Sequence, residues 1–271
     1  MNLLKVFSLL SFFISTMLLA NIQVFPTRVI LSDTKKVQTV SVRNKSNETL
    51  SYTIKTVFYR MEKDGSMTLV DNPTPEERPL VDHLRFSPRR VRLKPNQQQV
   101  IRIMLKKTAK LANGDYRAHI RVVPFSDITK KKKFIEKGKI SMELKAQVAV
   151  AISVLYYKGA PKFKSKMENF TVERKKDKDS KKEFYEFSVD VNNLGDNFLA
   201  GDMQLYLSQK NKKDILITEI KGLASYLKSR KFKFRFPIEK MKNIKTGKYK
   251  LVFKGPEFFN YPIIGTIERS I

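Results

Sequence analysis

The side chains that most often carry chemistry are scarce in this sequence, which has two histidines, His83 and His119, and no cysteine. His119 falls in a segment with a strand pattern and His83 in a loop. Neither has a metal-ligand neighbour at a useful spacing such as the i, i+4 histidine pair of zinc proteases. With 10 glycines in 271 residues there is no glycine-rich loop to cradle a phosphate. The carboxylates are scattered among lysines, a pattern that fits surface pairing better than a tuned acid/base pair. No residue is assigned a catalytic, metal-binding or cofactor-binding role, and the expectation is a binding protein with no enzymatic activity.

Charge narrows the partners. The formal net charge is +28, and 15 of the 54 basic residues are arginine. Lysine spread this evenly follows from composition alone on one reading. On the others it attracts an acidic protein, nucleic acid or an anionic membrane surface. Nucleic acid is disfavoured by export and by the lack of an arginine-rich patch or RNA-binding signature. Export is read from the N-terminus, where Met1 to Lys5 precede an apolar run from Val6 to Ala20. That run is short for a membrane span and ends on a small residue, as a signal peptide does. Leu18 at the −3 position fits the cleavage rule imperfectly, and an uncleaved anchor is the alternative. No later stretch is apolar enough to span a bilayer, so stable membrane insertion is not expected.

The elements that must position any binding residue are strands. From Ile22 onward the pattern alternates over five to ten residues and is broken by Gly, Pro, Asn and Asp. Strands are predicted at Ile22 to Leu31, with Pro26 marking an edge or kink, at Val37 to Asn44 and at Leu50 to Phe58. Further strands are predicted at Met67 to Val70, Phe86 to Leu93, Val100 to Leu105 and Tyr116 to Val123. A loop from Pro124 to Lys139 contains the tetralysine Lys130 to Lys133.

The clearest strand follows, Ile140 to Tyr157. Ile140, Met142, Leu144, Ala146, Val148, Val150, Ile152 and Val154 share one face. The other face begins polar and turns small and apolar at Ala149 and Ala151. A strand this long exceeds what one small sheet usually needs. Its second half reads as buried on both sides, and its first half as an amphipathic ribbon with an apolar face left over. Lys158-Gly159-Ala160-Pro161 reads as a hinge. The second half repeats the strand habit seven times between Met167 and Ile267, interrupted by a basic hairpin tip at Arg174 to Lys182. Gly114-Asp115-Tyr116 and Gly247-Lys248-Tyr249 each precede a late strand, where a tyrosine corner sits in immunoglobulin-like sandwiches. The expected fold is all-β: a signal peptide over 1–20, then two immunoglobulin-like β-sandwich domains, 21–158 and 159–271, joined by a short hinge.

These segments resemble the periplasmic pilus and fimbrial assembly chaperones, the PapD-like family, in its divergent branch. The resemblance rests on Val24-Phe25-Pro26-Thr27-Arg28-Val29, on Phe86-Ser87-Pro88-Arg89-Arg90-Val91-Arg92-Leu93-Lys94-Pro95 and on Gly114-Asp115-Tyr116-Arg117-Ala118-His119. The long strand after a basic loop and the hinge into a second sandwich add to it. It is best over 22–158 and architectural beyond.

The resemblance implies a boomerang of two sandwiches whose cleft receives a pilus or fimbrial subunit lacking its last strand. The chaperone's long strand completes the subunit's fold, by donor-strand complementation. Ile140, Met142, Leu144, Ala146 and Val148 would then insert into the subunit. Main-chain bonds along such an edge give sequence-tolerant affinity, and every second side chain gives selectivity. The family also anchors the subunit's C-terminal carboxylate with a basic pair. Arg28 matches its first member, and an Arg in an apolar strand is costly to bury unless it meets an anion. Ser153 or Val154 stands where the family has the second, a Lys. Partners implied are the subunit and an outer-membrane usher, with a self-capping dimer left open for the free chain. The competing reading is a two-domain immunoglobulin-like structural or adhesive surface protein.

Overall fold

A computed structural model describes residues 22–125, 148–208, 213–238 and 247–270. The first part folds into β1 (Ile22–Phe25), β2 (Arg28–Ser32), β3 (Val37–Asn44), β4 (Leu50–Met61), β5 (Met67–Val70), β6 (Leu84–Ser87), β7 (Arg90–Leu93), β8 (Gln98–Leu105), β9 (Gly114–Phe125) and β10 (Val150–Lys158). The second comprises β11 (Ser165–Lys176), β12 (Glu183–Asn193), β13 (Leu199–Ser208), β14 (Ile215–Ser225), β15 (Ser229–Pro237), β16 (Lys248–Lys254) and β17 (Ile263–Ser270). None of the described helices is long and apolar enough to cross a membrane, which says nothing of a β-barrel.

In the first sandwich a four-stranded sheet, β1-β3-β8-β6, faces a six-stranded one, β2-β10-β9-β4-β5 with β7 beside β4. Val24, Val42, Ile101 and Leu84 from one sheet meet Leu31, Ile54, Ile120 and Val154 from the other in a single core. Two expected strands are each two. Ile22 to Leu31 divides at Pro26 into β1, paired with β3, and β2, paired with β10. Phe86 to Leu93 divides at Pro88 between the two sheets in the same way. The reason is a change of phase: Ile22 and Val24 face inward at even positions, Val29 and Leu31 at odd ones. A single strand cannot keep both sets in one core, because side chains alternate with a period of two.

The second sandwich packs β11-β12-β15 against β14-β13-β16-β17 around Phe187, Val189, Met203, Leu205, Phe232 and Phe253. The two-sandwich, all-β expectation is borne out. The Tyr116 hydroxyl donates to the Ala112 carbonyl at 2.9 Å, the tyrosine-corner bond. Tyr249, its counterpart, is fully buried. The basic tip is narrower than expected, because β11 continues to Lys176 and only 177–182 turn, with Asp177 accepting from the Ser180 backbone and hydroxyl.

β10 begins at Val150, and residues 140–147 of the expected long strand lie outside the described residues, as do 1–21. From Val154 to Tyr157 the strand is buried on both faces. Val154 and Tyr156 enter the first core, while Leu155 and Tyr157 enter a third cluster between the sandwiches. Ala200, Ile30, Phe163, Phe198, Ala224, Tyr226 and Phe259 complete that cluster. Tyr157 meets the edges of Phe163 and Phe259 at centroid distances of 5.8 and 5.0 Å. Removing the Leu155 side chain from water contributes roughly 1.5–3 kcal/mol, while the buried Tyr157 hydroxyl has no hydrogen-bond partner and offsets part of what its ring gains. One strand thus anchors the second sandwich to the first.

Candidate functional site

β10 is paired on both sides only in part. Against β9 its register runs antiparallel from Val150↔Val122 to Lys158↔Gly114. Against β2 it runs parallel and starts later, from Ser153↔Arg28 to Tyr157↔Ser32. Among the described residues, Val150, Ala151 and Ile152 therefore have a neighbour on the β9 side and none on the β2 side. Such an edge offers main-chain donors and acceptors to another strand.

Beside this edge lies a cavity of about 480 Å³ between the sandwiches. Thr27, Tyr59, Met61, His119, Ala151 and Ser153 line it from the first sandwich, and Gly222, Leu223, Ala224, Tyr226 and Arg230 from the second. The face of the first sandwich that looks into it is set by register. Alternating with the core residues are Asp115, Arg117, His119 and Arg121 on β9 and, paired with them, Tyr157, Leu155, Ser153 and Ala151 on β10.

Arg28 sits opposite Ser153 on this face. Its Nη2 donates to the carbonyls of Gly222 at 2.9 Å and Leu223 at 3.3 Å, which ties β2 to β14. Gly222 takes a φ of +74°, which glycine adopts without strain. Arg28 Nε is buried and has no partner. Of the two positions considered for a second basic residue, Val154 belongs to the core and Ser153 lines the cavity. Sequence reasoning placed no cation here from the second sandwich. Arg230 supplies one, with Nη1 donating to the Ala224 carbonyl and lying 3.7 Å from Met61 Sδ.

Arg117 and His119 also escaped notice as site residues, because nothing in a lone sequence marks a strand Arg or His as inward to a cleft. The Arg117 guanidinium lies 4.1 Å from the Tyr226 ring centroid and 4.6 Å from that of Phe58, one from each sandwich. Its Nε and Nη1 have no hydrogen-bond partner, and burial lowers its pKa to about 10. His119 stands edge-on to Tyr59 at 5.1 Å. Burial first, and then the Arg117 charge, push it down to about 3, so the imidazole is neutral at ordinary pH.

Asp115 closes the hinge end. Its carboxylate accepts from Asn197 Nδ2 and the Phe198 backbone N–H of the second sandwich. Burial raises it to about 7 despite those two bonds. Of the expected donor residues, Val148 is half exposed just before β10, while Ile140, Met142, Leu144 and Ala146 lie outside the described residues. No group of three or more His, Cys, Asp or Glu side chains suited to a metal occurs among the described residues.

The site thus combines two joined sandwiches, an open strand edge and a cationic cleft beside it. Residues 21–157 match the family of pili and flagellar-assembly chaperones, PapD N-terminal domain, and the chain belongs to this family. No curated protein sequence matches it. Solved structures similar to it include the CFA/I fimbriae chaperone–tip adhesin complex, at 12% identity and a TM-score of 0.45, covering 93% of this chain and 98% of that one. The CsuC–CsuE chaperone–tip adhesion subunit complex of Acinetobacter baumannii matches at 12% and 0.45, covering 92% and 98%. The Salmonella enterica SafA pilin–SafB chaperone complex matches at 11% and 0.45, covering 93% and 97%. At these levels membership rests on the family match.

Proposed function

We propose that this chain is an exported chaperone that captures a pilus- or fimbria-type subunit by lending it a strand along the β10 edge. The observation that carries the reading is the register difference. β2 joins β10 only at Ser153, so the edge at Val150 to Ile152 is free for another chain among the described residues. Val150, Ile152 and Val154 point into this sandwich's own core. In the sequence the same alternation runs upstream through Val148, Ala146, Leu144, Met142 and Ile140, which are the residues proposed to fill the subunit. Arg28 is proposed to meet the subunit's C-terminal carboxylate with the donors its two carbonyl bonds leave over. The activity is binding, not catalysis. The address is the periplasm, and delivery to an outer-membrane usher completes the cycle.

The test is co-expression with a small exported immunoglobulin-like subunit. Met142→Glu with Leu144→Glu should abolish recovery of a 1:1 complex and leave thermal unfolding of the free chain unchanged. If that variant unfolds, the strand is core and a structural surface protein is the better reading. Arg28→Ala should lose capture without losing the fold, and unchanged capture would remove the anchor.

A further inference from the structure

The strand-addition reading seats a subunit on the β10 edge, and the cavity beside that edge bears on how the subunit's chain ends. Parity sets the faces: Val150 and Ile152 turn to the first core, and Ala151 and Ser153 line the cavity. Tyr59, Met61 and Met67 line it from β4 and β5, and Leu223, Ala224 and Tyr226 from the second sandwich. No Asp or Glu lines it among the described residues. Arg230 is the charged side chain in the lining, since the buried His119 is neutral. At about 480 Å³ the cavity falls within the roughly 300–1,000 Å³ of small-molecule sites.

A strand added on the free side of Val150 to Ile152 lies in line with β2, whose pairing with β10 begins at Arg28. It therefore stops short of Arg28. Running parallel to β10, it meets Arg28 with its C-terminal carboxylate; running antiparallel, it meets Arg28 with its N-terminal ammonium. Arg28 holds the Gly222 and Leu223 carbonyls and Arg230 holds the next, that of Ala224, so two guanidiniums flank one short stretch of β14. Their field attracts the carboxylate and repels the ammonium, which selects the parallel sense. At a rise of about 3.3 Å per residue, a Cα opposite Ala151 lies about 6.6 Å along the line from that of Arg28. The carboxylate then takes the gap, at the level of Ile152.

Resting on the strand-addition reading above, we infer that the subunit's last residue pairs with Ala151 and carries a large apolar side chain that fills this cavity. A side chain on an added strand shares the face of the residue it pairs with, so the partner of Ala151 points into the cavity and away from the core. There it leaves water for contact with Tyr59, Tyr226 and two methionines, whose unbranched side chains adapt to irregular shapes. A terminal glycine forgoes that gain and keeps the main-chain and carboxylate contacts alone. The carboxylate fixes where the strand ends, and the side chain selects which subunit is held.

The probes are labelled ten-residue peptides of alternating Val and Ser that differ only at the last residue, Phe or Gly, with a third ending in Phe amide. They are titrated into the purified chain by fluorescence anisotropy. The Phe acid should bind about tenfold tighter or more than the Gly acid. It should exceed the Phe amide by roughly tenfold as well. In Met67→Trp, which takes up cavity space from β5, the Phe-to-Gly ratio should fall toward one with an unchanged melting curve. Ala151→Leu should lower the same ratio from the β10 side, so the test does not hang on one variant. Equal binding of the Phe and Gly acids, both tighter than the amide, overturns the inference and leaves strand addition and its anchor standing. A ratio unmoved in both folded variants puts the side chain elsewhere and overturns the inference too. Binding of none of the peptides removes strand addition and the inference with it. Octanoate bound as tightly as the Phe acid would assign the cavity to a free amphiphile and overturn the inference.

Discussion

The two sandwiches share an architecture and treat charge in opposite ways. In the second, cations and carboxylates sit across from one another on neighbouring strands: Glu186 lies between Lys175 and Arg235, Asp190 faces Lys231, and Glu268 faces Lys248. The groups in these pairs move toward the charged form, Glu186 down and Lys175 up, each chiefly through a hydrogen bond to the other. In the described strands of the first sandwich the single carboxylate is Asp115, and it is buried. On the cleft face Asp115, Arg117 and His119 all move toward the neutral form, with burial as the leading cause. Ion pairs recur across the strands of the second sandwich, whereas among the described residues of the first the ion pair is Arg60–Glu77 and the cleft face carries none.

The sharpest way to break this contrast is pH. The Asp115 carboxyl is raised from 3.8 to about 7, so the folded chain holds its proton where the unfolded chain has lost it. Its contribution is full below the unfolded value and is lost as pH rises through about 7. His119 is lowered from 6.5 to about 3, so its contribution is full above 6.5 and is lost as pH falls toward 3. Between these limits the slopes oppose, each at up to about 1.4 kcal/mol per pH unit. The native chain should therefore show nearly level stability only from about pH 5.5 to 6.5, above the range in which the lowered carboxyls of Glu77 and Glu186 still add stability as pH rises. Asp115→Asn should then gain stability with rising pH over that range, and His119→Phe should lose it up to pH 7. Urea midpoints across pH would measure both, and two flat variants would refute the assignment.

Next in size is a change on the paired side. Glu186 is nearly buried and holds Lys175 and Arg235, so Glu186→Gln leaves two cations facing each other across strands. A loss of about 1–2 kcal/mol is expected, because the partners are themselves partly exposed and screened. A melting curve in low and high salt would show the deficit shrinking with salt. No deficit at low salt would mean that the second sandwich's pairs are ornamental.

Much of this was legible beforehand. The strands at Val37 to Asn44 and Met67 to Val70 have the bounds expected, because alternation there is uninterrupted and the flanks are turn residues. The sheet crossings at Pro26 and Pro88 were written in the sequence too, as the inward set moving from even to odd positions, but only a known core reveals which set is inward. The site was harder. Arg28 was visible as a cation in an apolar strand. Its bonds to Gly222 and Leu223, and the arrival of Arg230, depend on residues about 200 positions apart in the chain. The cations of the larger sheet were not legible as a group, because Arg90, Lys55 and Arg121 lie on paired strands and are remote in the sequence.

Arg117 offers a smaller test with an unusual sign. A guanidinium with two unpartnered nitrogens between Phe58 and Tyr226 gains cation–π attraction from both rings, yet it gives up hydration to do so. Methionine fills a similar length without the desolvation cost. Arg117→Met should leave stability unchanged or raise it by about 1 kcal/mol. The same variant should weaken capture of the proposed subunit, and that division is what a cation retained for binding predicts. A loss of several kcal/mol would instead make Arg117 a structural strut between the sandwiches.

The smallest effect is expected where the first sandwich is most charged. Arg90 and Arg92 are exposed and have no ion pair among the described residues, so neutralising both should move the melting temperature by an amount equivalent to less than about 0.5 kcal/mol. The direction should be upward at low salt, because the surrounding field is one-signed and its self-repulsion falls. The equivalent double neutralisation in the second sandwich, Lys175→Gln with Lys231→Gln, should lower stability at low salt, since each lysine meets a carboxylate across the strand. Opposite signs from the same chemical change would tie the contrast to pairing and not to net charge. If both doubles shift stability in the same direction, the high positive charge acts as a uniform background and the first-sandwich face has no special standing.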